Sequence, residues 1–137
     1  MDRKKIAIFT GNRAEYGLLN PLIRELSSRA SFEVYLIISG SHLLEDFGKT
    51  VCEIDTSMVK SIRKIPLSVT DANKKVELLL LFSDVIREGT TVLANLNPQF
   101  LVLAGDRYET FAMAVTAYYL NIPIAHLFGG DLSQGGH

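Results

Sequence analysis

Four short apolar runs, "KIAIFTG" (5–11), "EVYLIISG" (33–40), "FLVLAGD" (100–106) and "IPIAHLFGG" (122–130), constrain the fold more than any other feature of the chain. Each runs into a glycine, and none alternates strictly between apolar and polar residues. A strand that is apolar on both faces has to be covered on both, which is the condition of a parallel sheet between helices. The intervening segments supply those helices. Leu18, Leu19, Leu22, Ile23 and Leu26 recur at helical spacing, while Arg24, Glu25 and Ser28 fall on the opposite side. "NKKVELLLLFSDVIREGTTVLANLN" (73–97) carries a second helical pattern that stops before Pro98, and "ETFAMAVTAYYL" (109–120) a third. "SIRKIPLS" (61–68) predicts an edge strand, because Pro66 has no N–H to give to a central ladder, and 41–57 predicts a short helix. Strand and helix alternate, and right-handed crossovers then lead to an α/β, doubly wound parallel sheet of strand order three, two, one, four, five.

Composition narrows the function classes. With 137 residues, 47% of them hydrophobic, the chain can bury a core as one domain without disulfides or a structural metal. Its 14 Lys and Arg residues are scattered and balanced by 15 Asp and Glu, so no basic footprint for nucleic acid is present. Cys52 is the single cysteine, unable to form an internal disulfide or a thiolate cluster, and it fits a reducing cytoplasm. After "MDRKK" only "IAIF" is apolar, too short for a secretory signal, and no stretch approaches the roughly 18 apolar residues of a membrane span. A cytoplasmic protein with no membrane partner is expected.

The predicted strand order makes strands one and four neighbours, and the winding reverses between them. In open α/β sheets, ligands bind in the crevice at that reversal, beyond the carboxyl ends of the strands. "TGNRAEYG" (10–17) follows strand one and "GDRYET" (105–110) follows strand four. The first lacks the glycines of a dinucleotide fingerprint and the Lys-Ser or Lys-Thr of a Walker loop. It has the elements of another kind of anion site. Gly11 allows close approach of the backbone, the helix that follows offers unpaired N–H groups, and Arg13 adds a cation at the positive end of the helix dipole. An ordinary strand-to-helix turn, with Glu15 satisfying the dipole, would look similar. "GDRYET" is equally two-sided: Asp106 with Glu109 three residues later resembles a capping box, and it also sets titratable groups at the expected crevice. His126 stands at the end of strand five. "GGDLSQGGH" (129–137) is a glycine-rich polar run holding Asp131, after which a longer protein is expected to continue.

Taken together, "TGNRAEYGLLNPLI", "SGSHLLEDFG", "LVLAGDRYETFAMAVTAYYLNIPIAH" and "GGDLSQGGH" resemble the N-terminal domain of the hydrolysing UDP-N-acetylglucosamine 2-epimerases of the sialic and legionaminic acid branch. The resemblance runs in order through nearly the whole chain. It implies a Rossmann-like domain over 1–137, the N-terminal half of a two-domain glycosyltransferase-B type fold, ending within a Gly-rich active-site loop. The implied reaction turns UDP-N-acetylglucosamine and water into N-acetylmannosamine and UDP through a glycal-like intermediate, with no cofactor and no metal. A UDP-sugar substrate and a homo-oligomeric full-length enzyme are implied partners, and the fragment alone is expected to be inactive. By the same resemblance, Arg13, Asp106, His42 and His126 match site residues of the family; the candidate catalytic residues are then Asp106, Asp131 and His126, and the candidate substrate-binding residues Gly11, Arg13, His42, Arg107 and Glu109. One position departs from the pattern. Many relatives read "H-I-E-G-G" where this chain reads "HLFGG", so Phe128 replaces an acid; either Asp131 serves from the neighbouring position or the substrate differs.

The chemistry fits the residues available. Loss of UDP builds negative charge that an Arg and a helix N-terminus stabilise, and removal of the proton beside the acetamido group needs a placed carboxylate or imidazole. Two other functions remain open on the residues alone: a sugar-nucleotide glycosyltransferase of the same fold, and a non-catalytic module that binds UDP-sugar. For Asp106, proton transfer is the expected principal role and helix capping a secondary one.

Overall fold

The computed structural model describes residues 3–39, 59–65 and 75–128, apart from the side chains of Arg13 and Ala14. In chain order the elements are β1 (Lys4–Thr10), α1 (Arg13–Ser27), β2 (Phe32–Ile38), β3 (Ser61–Lys64), α2 (Lys75–Leu96), β4 (Phe100–Ala104), α3 (Tyr108–Tyr119) and β5 (Ile124–Leu127). The strands form one five-stranded sheet of order β3-β2-β1-β4-β5. Every pairing is parallel, with Ile8 opposite both Leu36 and Val102. The doubly wound sheet and its strand order are thus as expected, and "SIRK" is the edge strand. Pro66 and the helix expected over 41–57 lie outside the described residues.

The two sides of the sheet bury different halves of each strand. Ala7, Phe9, Tyr35, Ile37, Leu101 and Leu103 face α2 and α3 and join Val85, Leu93, Met113 and Ala117 in one core. Ile6, Ile8, Val34, Leu36, Ile38, Val102 and Ala104 face α1, where Tyr16, Leu19 and Ile23 cover them. The unbroken apolar runs follow from this double coverage, since successive residues of a strand point to opposite sides. β5 lies at the edge, and its Ile124 and His126 are exposed.

Helix ends are set by local chemistry. Beyond α2, Asn97 takes a left-handed conformation (φ 49°) and its N–H donates to the Leu93 carbonyl at 2.8 Å, just before Pro98. Beyond α3, Asn121 does likewise (φ 60°). α1 runs through Pro21, whose missing N–H removes one rung of its ladder.

α2 divides along its length. Leu93 is fully buried, whereas Leu79, near the start, is 68% exposed. Leu93→Ala is expected to cost about 2–5 kcal/mol, and Leu79→Ala, with the same change in helix propensity, about 0.5 kcal/mol or less. Urea denaturation of the two variants tests this division. Equal losses would mean that the first turns of α2 are covered as well as the last.

Candidate active site

β1 and β4 are neighbours, so their carboxyl ends meet at the reversal of winding. The loop after β1 is closed by reciprocal hydrogen bonds. Asn12 is the N-cap of α1, in extended conformation, and its Oδ1 accepts from the Glu15 N–H at 2.9 Å. Glu15 reaches back to accept the Gly11 N–H at 3.0 Å on Oε1, a capping box extended by one residue. Arg13 opens α1, at the positive end of its dipole; its side chain is outside the described residues.

The loop after β4 departs from the expected cap. The N-cap of α3 is Arg107, with no side-chain capping bond, and Asp106 lies one residue too early to serve. The physical reason lies in where the neighbouring groups are drawn. The Glu109 carboxylate is engaged by the Arg107 guanidinium, with Nε to Oε1 at 2.9 Å, and the Thr110 hydroxyl donates to the Ala104 carbonyl at 3.2 Å. Asp106 is therefore exposed and relieved of a structural task. Gly105 bends the chain with φ 78°, a conformation that favours glycine.

Asp106 and His126 line one cavity of about 440 Å³ together with Leu103, Gly105, Thr110, Phe111, Ala114 and Ile124. His126 sits in register with Leu103, which sets its ring beside the β4 loop. Its Nε2 is hydrogen-bonded to the Gly105 carbonyl, which can only accept, so Nε2 carries the proton and Nδ1 is left as the basic nitrogen of the neutral ring. Phe128, directly after β5, is 55% exposed and holds φ 58°, a left-handed conformation uncommon for a bulky side chain. It follows β5 two residues after His126, which lines the cavity. His42 and Asp131 lie outside the described residues. Among the described residues, no cluster of His, Cys, Asp and Glu could hold a metal ion, and no helix is long and apolar enough to cross a membrane.

Behind the loops lies a pair of buried carboxyls. Glu109 is 1% and Glu15 6% exposed. Burial pushes the Glu15 carboxyl above its usual range against the pull of the Gly11 N–H, and the charge of Glu109 adds to the rise. The hydrogen bond that Arg107 donates to Glu109 raises its guanidinium above its usual value. Tyr108 is pushed up to about 12, by burial first and by Glu109 second, so its phenol stays protonated near neutrality. Sequence reasoning singled out Glu109 but left Glu15 as a mere dipole partner. A signal was present: Glu15, Leu19 and Ile23 share one helical stripe, as do Glu109, Met113 and Ala117, so each acid stands on the core face of its helix.

The sequence pattern of UDP-N-acetylglucosamine 2-epimerases matches residues 24–136. The chain belongs to the UDP-N-acetylglucosamine 2-epimerase family. The GDP/UDP-N,N'-diacetylbacillosamine 2-epimerase (hydrolyzing) of Campylobacter jejuni is 33% identical over 98% of the chain, and the UDP-N,N'-diacetylbacillosamine 2-epimerase (hydrolyzing) of Legionella pneumophila is 32% identical over 95%. The chain spans about a third of the length of these relatives, 35% and 34% respectively. Its fold matches the crystal structure of UDP-GlcNAc 2-epimerase from Neisseria meningitidis bound to UDP-GlcNAc, with a TM-score of 0.75, at 23% identity over 94% of this chain and 33% of that one. The likeness agrees with a doubly wound α/β domain of the kind found at the N-terminal end of these epimerases.

The buried acid in this epimerase domain has a thermodynamic signature. Because the folded-state pKa of Glu15 is raised, its contribution to stability is full below the ordinary value of 4.5 and is lost as pH rises through the folded value. Glu15→Gln keeps an acceptor for the Gly11 N–H and removes the titration. Its melting temperature relative to the parent is expected to rise as pH increases above 4.5. A difference that stays constant from pH 4 to pH 8 would show that Glu15 is not destabilised by ionisation.

Proposed function

We propose that the chain is the part of a hydrolysing UDP-N-acetylglucosamine 2-epimerase that binds the nucleotide sugar and moves its proton. The observation that carries this reading is the cavity between the end of β4, α3 and β5, to one side of the β1/β4 reversal, where an exposed carboxylate, Asp106, and an imidazole, His126, line one space. Asp106 directly precedes the half-exposed Arg107. The names of the Campylobacter and Legionella relatives, both hydrolysing enzymes, support the same branch.

A base removes the proton from the carbon bearing the acetamido group, and the bond from the anomeric carbon to the UDP oxygen breaks, leaving a glycal. Water then adds its oxygen to the anomeric carbon, a proton returns to the neighbouring carbon on the opposite face, and N-acetylmannosamine and UDP are released. Asp106, and Nδ1 of His126, are the groups assigned to proton transfer, together with Asp131 by resemblance. Arg13, Arg107 and the N-terminus of α1 are assigned to the departing diphosphate, whose charge grows as the bond breaks. Gly11 lets the backbone approach it, and His42 is assigned to the sugar.

The identity of the sugar has a second reading, favoured by an observation of its own. The cavity lining is largely apolar, with Leu103, Phe111, Ala114 and Ile124, and the exposed Phe128 follows just after β5. A UDP-N,N'-diacetylbacillosamine, bearing a second acetamido group and a deoxygenated carbon, would suit such a lining better than the more hydroxylated N-acetylglucosamine.

The test is product analysis with the protein as its host makes it, given either UDP-sugar and no acceptor. Free 2-epimerised sugar with UDP is expected. Hydrolysis that leaves the acetamido carbon uninverted would point to a glycosyltransferase, and no turnover of either sugar would leave a binding module. Asp106→Asn is expected to lower turnover by roughly a hundredfold or more. Both Asp106→Asn and Asp106→Ala should change stability by about 0.5 kcal/mol or less, since Asp106 is exposed and caps no helix. Near-normal turnover in the Asn variant would remove Asp106 from the proton-transfer groups.

A further inference from the structure

Glu15 and Glu109 do not lie on the surface of the cleft, yet each is carried by the helix that follows one strand and presses against the loop that follows the other. A Cβ built on Gly11, in the β1 loop, would stand 3.1 Å from Glu109 Cγ and 3.2 Å from its carboxyl carbon. A Cβ on Gly105, in the β4 loop, would stand 3.4 Å from Glu15 Oε2. The carboxyls therefore cross between the two loops, with the glycine backbones packed on them. Each also holds its own loop: Glu15 takes the Gly11 N–H, and Glu109 takes the Arg107 guanidinium.

We propose that Glu109 and Glu15 are positioning residues that cross-brace the two loops at the strand reversal and fix Arg107 as an arginine for a nucleotide diphosphate. The inference rests on the reading that this cleft takes a UDP-sugar. Arg107 is suited to the task because its side chain is 51% exposed while the carboxylate that orients it is 1% exposed. Glu109 engages it from one edge, through Nε at 2.9 Å and Nη2 at 3.5 Å. Of the five N–H donors of a guanidinium, those of Nη1 and one on Nη2 are then directed away from Glu109. A planar cation anchored along one edge loses less side-chain freedom when the other edge meets phosphate oxygens. Without the brace, the same arginine would be a long, mobile side chain at the start of α3, and the β1 loop would be free to move relative to it.

The test is a double-mutant cycle read as UDP affinity by titration calorimetry, on the protein as its host makes it. Arg107→Ala is expected to weaken UDP by roughly 10- to 100-fold, and Glu109→Gln, which removes the charge that orients Arg107, by roughly tenfold. In the Arg107→Ala background, Glu109→Gln should add less than about twofold, because Glu109 acts through Arg107. With substrate, the Glu109→Gln defect should raise KM and also lower kcat, because Arg107 meets the diphosphate when it binds and again as its charge grows. At the other carboxyl, Glu15→Ala should weaken UDP roughly tenfold, while Glu15→Gln, which can still accept the Gly11 N–H, restores most of the affinity. Glu109→Gln leaves a half-exposed Arg107 solvated, and circular dichroism checks that each variant is folded. If UDP binds the parent but the effects of Glu109→Gln and Arg107→Ala simply add, or Glu15→Gln is as weak as Glu15→Ala, the cross-brace is wrong and the assigned function stands. If the parent itself does not bind UDP, the functional reading falls and takes the brace with it.

Discussion

The parallel pairing of β1 with β4 is the constraint on which the rest of the molecule depends. It is a long-range contact, joining residues 6–8 to 100–102, and it inserts β1 between two strands of very different position in the chain. α1 then lies on one side of the sheet, and α2 and α3 on the other. Because connections are right-handed, the chain must reverse its winding between β1 and β4, and the loops above them diverge. A crevice is a geometric consequence of that divergence. Two segments almost a hundred residues apart are thereby brought within van der Waals contact, as the Gly11–Glu109 and Gly105–Glu15 approaches show.

A crevice made in this way is electrostatically unusual. The N-termini of α1 and α3 both open towards it, favouring negative charge, while two carboxyls lie buried just beneath. Carboxylates there would oppose an anion unless their charge is spent on nearer partners. Glu109 is spent on Arg107, and Glu15 on the Gly11 N–H, with burial favouring its neutral form. What reaches the cleft is then the outer edge of a guanidinium and the helix ends. Asp106 and His126 sit to one side, at the end of β4 and in β5, around an apolar lining that lowers the local dielectric. Under the proposed function, charge binding and proton handling are thus separated in space, which allows each to be altered without the other.

Much of this was legible from residues. The unbroken apolar runs in β1, β2 and β4 predicted strands buried on both faces, and Pro66 pointed to an edge position for the strand at 61–64, because these properties depend on local geometry and on coverage alone. Asp106 and His126 were legible as candidates because Asp106 lies just past the end of β4 and His126 near the end of β5. The cap assigned to Asp106 was not correct. Spacing cannot distinguish a helix that starts at 107 from one that starts at 108, and the competing pull of Arg107 on Glu109 decides the matter.

The sequence by itself determined the periodicities, and with them which faces of each strand and helix must be buried, because side-chain direction is fixed by backbone geometry at each residue. It also determined the types of group available at the strand ends. Only the tertiary structure decided which of those groups meet. Glu15 reads as an ordinary first-turn acid until β4 is laid beside β1. Glu109 reads as half of a capping box until Arg107 turns back onto it. The energy of a buried charge depends on what packs around it: the hydrogen-bond partners, Gly11 for Glu15 and Arg107 for Glu109, are local, but the loops that bury these acids meet across a long-range strand pairing that no local pattern encodes.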